Sequence, residues 1–161
     1  MGQAGLPLWP SRGNRRRLDM LWLERLEEDG LANLRQELPA GPPPELYKAI
    51  DEFNHGLFWE CHETLEHVWR ATSYPIRHFY HGIIKLAVGF YHLSRHNRKG
   101  ARAKLSEGLR LVRVFTPCFF HVDTEGLWRD SSLWLQRVET TDRIDWIKLD
   151  GLPTPQITVY R

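Results

Sequence analysis

Residues 53–69 read FNHGLFWECHETLEHVW, and their apolar side chains return at helical spacing. Phe58, Cys61, Leu65, Val68 and Trp69 share one face of a helix that runs from about Leu57 to Ala71. His62 and Glu66 fall inside that apolar arc. They are i and i+4 neighbours and can hydrogen-bond to each other. Glu63 lies on the margin, and Glu60, Thr64 and His67 point the other way. The stretch therefore predicts an amphipathic helix that carries a histidine and a glutamate into its core.

Upstream, PAGPPP at 39–44 stops any helix, because proline lacks a donor and restricts the residue before it. A helix follows over Glu45–Asn54 with Leu46, Ile50 and Phe53 on one face, and Gly56 punctuates it. Downstream, Thr72–Pro75 is a turn and a third helix runs from about Ile76 to His96. Its apolar residues cover so much of its girth that it belongs at the centre. The remaining stripe holds His78, His81, Lys85, His92 and His96, beside Gly82 and Gly89. Asn97–Gly100 reads as a connection, Ala101–Phe115 as a fourth helix stopped by Pro117, and Asp123 as the N-cap of a last helix to about Val138.

Short connections between such helices predict an all-α fold, a compact antiparallel bundle of about four to five core helices with an N-terminal helical appendage. The chain divides into a basic tail at 1–17, a helical arm at 18–38, the proline linker at 39–44, the bundle at 45–150 and an extended tail at 151–161. In the arm, Leu18, Leu21, Leu26 and Leu34 form the expected stripe, broken at Gly30. Residues 156–160 could pair as a strand, although no earlier segment offers a partner.

Composition narrows the function classes. The 161 residues are 42% hydrophobic and 26% charged, which suits one globular domain with a core of its own. Net charge is +2, so there is no global field toward nucleic acid. The basic run Arg95, Arg98, Lys99, Arg102, Lys104, Arg110 and Arg113 does not fit one helix face, and only Glu107 answers it locally. A solvated surface explains it better than a nucleic-acid interface. The longest apolar stretch, Phe79–Leu93, carries His81, Lys85 and His92 and is too short and polar to span a bilayer. Arg12 and Arg15–Arg17 precede LDMLWLERLEED, which is no export signal. Cys61 and Cys118, the two cysteines, suit a reducing cytoplasm, with Cys61 a core residue rather than a nucleophile. The aromatic excess also allows a homodimer through an aromatic surface or the N-terminal helix, and with it a helix-mediated interaction module.

A buried charge without a partner costs several kcal/mol, so the two polar stripes should answer each other. The economical arrangement sets His62, Glu63 and Glu66 against His81, Lys85 and His92, with Lys85 paired to Glu63 or Glu66. The same six residues would line a small-ligand pocket if the network is not merely structural. Glu63, Glu66 and Lys85 are the candidates for acid/base chemistry of a hydrolase type. His62, Glu66 and His92 are the candidates for a divalent metal, although Lys85 is adverse and the Glu-x-x-His spacing of helix-bundle metal centres is absent. His92 and His96 are also i,i+4, but His96 sits among arginines and should face solvent. The wheel further predicts that Glu66→Ala destabilises more than Glu60→Ala.

The run at 53–69, followed by FYHGIIKLAVGFYHL at 79–93 and NRKGA at 97–101, resembles the domain of unknown function 309 family. The family pattern is roughly F-N-x-G-x-[FY]-[FWH]-E-x-H-[ED]-x-x-E-x-x-W, then Q-G-[LIM]-[IV]-Q-[LV]-A, then N-x-x-G-A. Phe53, Asn54, Gly56, Glu60, His62, Glu63, Glu66 and Trp69 are all in register with it. His81 and Lys85 stand where the family usually has glutamines, so this chain has titratable groups in place of neutral amides. The resemblance implies a helical bundle and a shared polar motif. It carries no assigned activity.

Overall fold

The structure, a computed structural model, describes residues 15–30, 41–140 and 143–160, with side-chain surroundings from Asp19 onward. The described residues form seven helices: α1 (Arg15–Asp29), α2 (Pro44–Asn54), α3 (Phe58–Ala71), α4 (Arg77–Ser94), α5 (Arg98–Arg113), α6 (Thr124–Glu139) and α7 (Trp146–Asp150). The fold is all-α, as the periodicity requires.

Local sequence explains the boundaries. Pro44 opens α2, where a missing N–H costs nothing and the ring presets the helical φ. Gly56, at φ +75°, takes the left-handed turn between α2 and α3. Asn97 closes α4 and caps α5, its side-chain oxygen accepting from Gly100 N at 3.0 Å. Helix α5 therefore begins at Arg98, and the expected connection at 97–100 is its first turn. Asp123 caps α6 as expected, accepting from Gly126 N.

Helix α4 is the axis. Twelve of its eighteen residues are buried, including Phe79, Ile83, Leu86 and Phe90. Its tightest neighbour is α5, because Gly108 presents bare backbone: a Cβ there would meet Leu86 N at 2.9 Å. Gly82 approaches Val112 in the same way, so the glycines beside the polar stripe admit a helix. Two aromatic clusters flank this axis. Phe53, Phe58, Phe90 and Trp134 meet at one end, and Phe79, Phe115, Phe119 and Phe120 at the other.

Helix α1 docks on the bundle through Trp22, Leu23 and Leu26, all at most 5% exposed. Leu21, expected on the buried stripe, is 41% exposed, while Leu34 lies outside the described residues and of Leu18 only the backbone is described. The stripe shifts because Trp22 turns inward and stacks on Tyr74, centroids 5.4 Å apart. Arg110 of α5 clasps Glu27 of α1 at 2.8 Å.

The C-terminal segment finds partners that no helical wheel could show. Asn54 donates to Ile157 O at 3.0 Å and accepts from Ile157 N at 2.7 Å. Val159 bridges Val122, and Asp123 N donates to Thr158 O. A single asparagine thus completes the backbone pairing of a segment that has no sheet to join. Among the described residues, no helix is long and apolar enough to cross a membrane.

Candidate functional site

Histidines at 78 and 81 and the lysine at 85 recur on one face of α4, three and four residues apart. They face a cleft of about 390 Å³ closed by α1 and α5, whose walls include Asp19, Leu23, Lys104, Glu107 and Arg110. At its edge, Lys85 Nζ lies 2.8 Å from Glu107, and Lys104 Nζ lies 3.5 Å from the same carboxylate. Burial lowers the Lys85 ammonium below its usual range, and the Glu107 contact restores only part of that. Burial also acts to raise Glu107, but the two lysines outweigh it and hold the carboxyl low. Glu107 thus sits between two lysines, in a lysine–carboxylate–lysine chain across α4 and α5.

The two histidines are neutral. His78 is 1% exposed, and neither ring nitrogen has a hydrogen-bond partner. Burial, with Arg77 beside it, pushes it down to about 4. His81 falls to about 3, through burial first and then Lys85, His78, Arg77 and Lys104. Its ring lies 4.7 Å from that of Trp69, the tryptophan of the α3 motif. The Arg77 guanidinium covers the same indole at 4.0 Å and is itself 1% exposed. Each neutral imidazole offers one N–H donor and one acceptor to whatever enters the cleft.

The α3 half of the expected network is elsewhere. His62 Nε2 and Glu66 do meet, at 3.5 Å, and Arg70 closes on Glu66 at 2.8 Å. Both are only partly buried, with side chains 18% and 33% exposed, so the apolar arc overstates their depth. The ring of His62 packs on Trp59, which packs on Tyr91. Glu63 is exposed. The pairing of Lys85 with Glu63 or Glu66 is thereby corrected: its partner is Glu107 of α5. Among the facing residues α3 gives Trp69 rather than a carboxylate to the His81 stripe. Glu107 supplies the negative charge because it is the lone acid in the basic stretch of α5, a signal the sequence does carry.

His92 is apart again. Its Nδ1 lies 3.3 Å from the Asn97 amide nitrogen at the α5 cap, and burial followed by Lys104 lowers its pKa. His96 is exposed, stacked on Trp146. Among the described residues, no three His, Cys, Asp or Glu side chains are placed to hold a metal ion. Cys61 is buried in the core, where desolvation raises its thiol far above the usual range.

The helices that carry this stripe have relatives. Residues 46–103 match the family model described as domain of unknown function (DUF309). Over those residues the chain is similar to that family. Over 58 residues the chain is 35% identical to the uncharacterized protein YpuF of Bacillus subtilis (strain 168), which is 35% of this chain and 33% of that protein. The chain thus matches about a third of that relative's length. The DUF309 match takes in α2, α3, α4 and the start of α5, and with them His78, His81, Lys85 and Asn54. It ends before Glu107 and begins after α1. One wall of the cleft therefore lies within the match, and the residues that close it lie outside it.

Proposed function

We propose that the cleft between α1, α4 and α5 is a small-ligand pocket for a compact anionic molecule. The observation that carries this is His78, a buried ring with two unpartnered nitrogens on the cleft wall. A native fold rarely leaves such a group unsatisfied unless something else completes it. The sign of the ligand follows from the field. Three cations, Lys85, Lys104 and Arg110, and two acids, Asp19 and Glu107, line the cleft, so the excess charge of the lining is positive. An anion would accept from a histidine N–H and displace or share the Glu107 contact. Met20, Leu23 and Leu111 supply apolar wall for the rest of the molecule. The unpaired cysteines support a protein of the reducing cytoplasm.

Inorganic phosphate is the simplest probe. Saturable movement of the His78 and His81 ring resonances in proton–nitrogen NMR is expected, weakened in Lys85→Gln. A titration that moves only exposed lysines would refute the proposal. The competing structural reading is favoured by the closed Lys85–Glu107–Lys104 chain, which satisfies itself without a ligand. It predicts that phosphate leaves both histidines unmoved and that Lys85→Gln changes stability alone.

A further inference from the structure

A second cavity, of about 300 Å³, lies at the opposite end of α4 and shares no residue with the cleft above. That volume is at the lower end of the roughly 300–1,000 Å³ of small-ligand pockets. Its floor is aromatic: Phe58 of α3, Phe90 of α4 and Trp134 of α6, each at most 7% exposed. Its roof is α7 with the turn behind it, which brings Trp146 and Asp150 to the rim.

The roof is held lightly. None of the five residues of α7 is buried, and Ile147 is 89% exposed. Trp146, Leu149 and Leu152 pack against the core from the surface, Trp146 stacks on His96 at 4.6 Å, Asp150 meets His96 at 2.9 Å, and the Trp134 indole N–H donates to Pro153 O at 3.2 Å. Asp150 is the charged group of the lining, and its ion-pair partner among the described residues is an imidazole rather than a permanent cation. Aromatic rings present negative faces, and a carboxylate at the mouth adds a full negative charge. Trp134 already accepts the Arg137 guanidinium, 5.0 Å from its ring, so its electron density is in use by a cation on this protein.

We propose that this aromatic cavity binds a small organic cation of the alkylammonium class, with the α7 strap as its cover. The cation would lie among Phe58, Phe90 and Trp146, with Asp150 as counter-charge in the place His96 now takes. A neutral apolar guest would gain the same burial but nothing from the carboxylate or the ring quadrupoles. Charge is therefore the discriminating property.

The test compares choline with 3,3-dimethylbutanol, its neutral isostere, on the full chain. The indole N–H resonances of Trp134 and Trp146 report binding. Choline is expected to shift both saturably, about tenfold more tightly than the alcohol, a ratio of ~1.4 kcal/mol. Asp150→Asn should weaken choline severalfold and leave the alcohol unchanged. The Asp150 side chain is about half exposed, so the core is untouched, and the Trp146–His96 stack and the Trp134–Pro153 hydrogen bond still hold the strap. Equal affinities, or an alcohol that binds more tightly, would overturn the cation assignment. Choline that moves neither indole would overturn the site itself. Neither result bears on phosphate and the histidine cleft, whose reporters are His78 and His81.

Discussion

Acidification should strain this protein at one identifiable place. His78 and His81 ionise near 6.5 in an unfolded chain but at about 4 and about 3 in the fold. Above 6.5 both rings are neutral in both states, and stability is at its full value. Below it the unfolded chain takes up protons that the fold refuses, so stability falls as pH falls. Each histidine costs about 1.4 kcal/mol per pH unit until its own folded pKa is passed. From 6.5 to 4 that is on the order of 3 kcal/mol for His78. His81 adds a similar amount, so the pair costs on the order of 7 kcal/mol, as much as the whole stability of a marginal domain. Protonation is cheapest where water enters first. Asp19 and Leu23 of α1 wall the cleft, so detachment of α1 should precede global unfolding. Urea titrations at stepped pH, with amide exchange along α1, measure both effects. His81→Gln should remove roughly half the pH slope, and a double variant with His78→Asn should flatten most of it, whatever the variants' stability at neutral pH. If the double variant keeps the wild-type slope, the two rings are not the groups that refuse the proton and the electrostatic account of the cleft fails.

Glu107→Ala leaves Lys85 without its anion and should cost about 1 kcal/mol, modest because the carboxylate is half exposed. Adding Lys85→Gln should recover part of that in a double-mutant cycle by chemical denaturation. Gly108→Ala drives a Cβ to 2.9 Å from the Leu86 backbone and should lower stability by about 1–3 kcal/mol, whereas Gly41→Ala, with open space around it, should leave the melting temperature unchanged. Asn54→Ala strands two backbone groups of Ile157 and should cost about 1–3 kcal/mol, with faster protease cleavage beyond residue 150 as the sign that the C-terminal segment is released. Glu66→Ala should exceed Glu60→Ala by no more than about 1 kcal/mol, since the His62 and Arg70 contacts lie near the surface.

The helices were legible because their period and punctuation agree. Pro44, Gly56, Asn97 and Asp123 mark boundaries in the sequence for the same reasons that they act as boundaries in the fold. The stripe on α4 was equally legible, since His78, His81 and Lys85 share a face by spacing alone. What faces it was not. A helical wheel gives the direction of a side chain around its own axis and says nothing about which neighbour occupies that direction. Two adjacent polar stripes in sequence, on α3 and α4, suggested each other as partners. In the structure α3 answers α4 with Trp69, and the charge comes from Glu107, twenty-two residues beyond Lys85, while α1 arrives from the far side of the proline linker. The depth of His62 and Glu66 failed for a related reason. An apolar arc measures which residues flank a position, but burial depends on what packs over it. His62 packs on the indole of Trp59, itself 44% exposed, and so lies near the surface. The DUF309 match sharpens this point. It ends at residue 103, so a motif shared over 46–103 can specify the histidine wall but not the lid and counter-charge that complete the cleft. If the cleft has a ligand, the chemistry of that ligand is written jointly by the shared segment and by α1 and Glu107. A protein sharing only the segment has no reason to bind the same molecule.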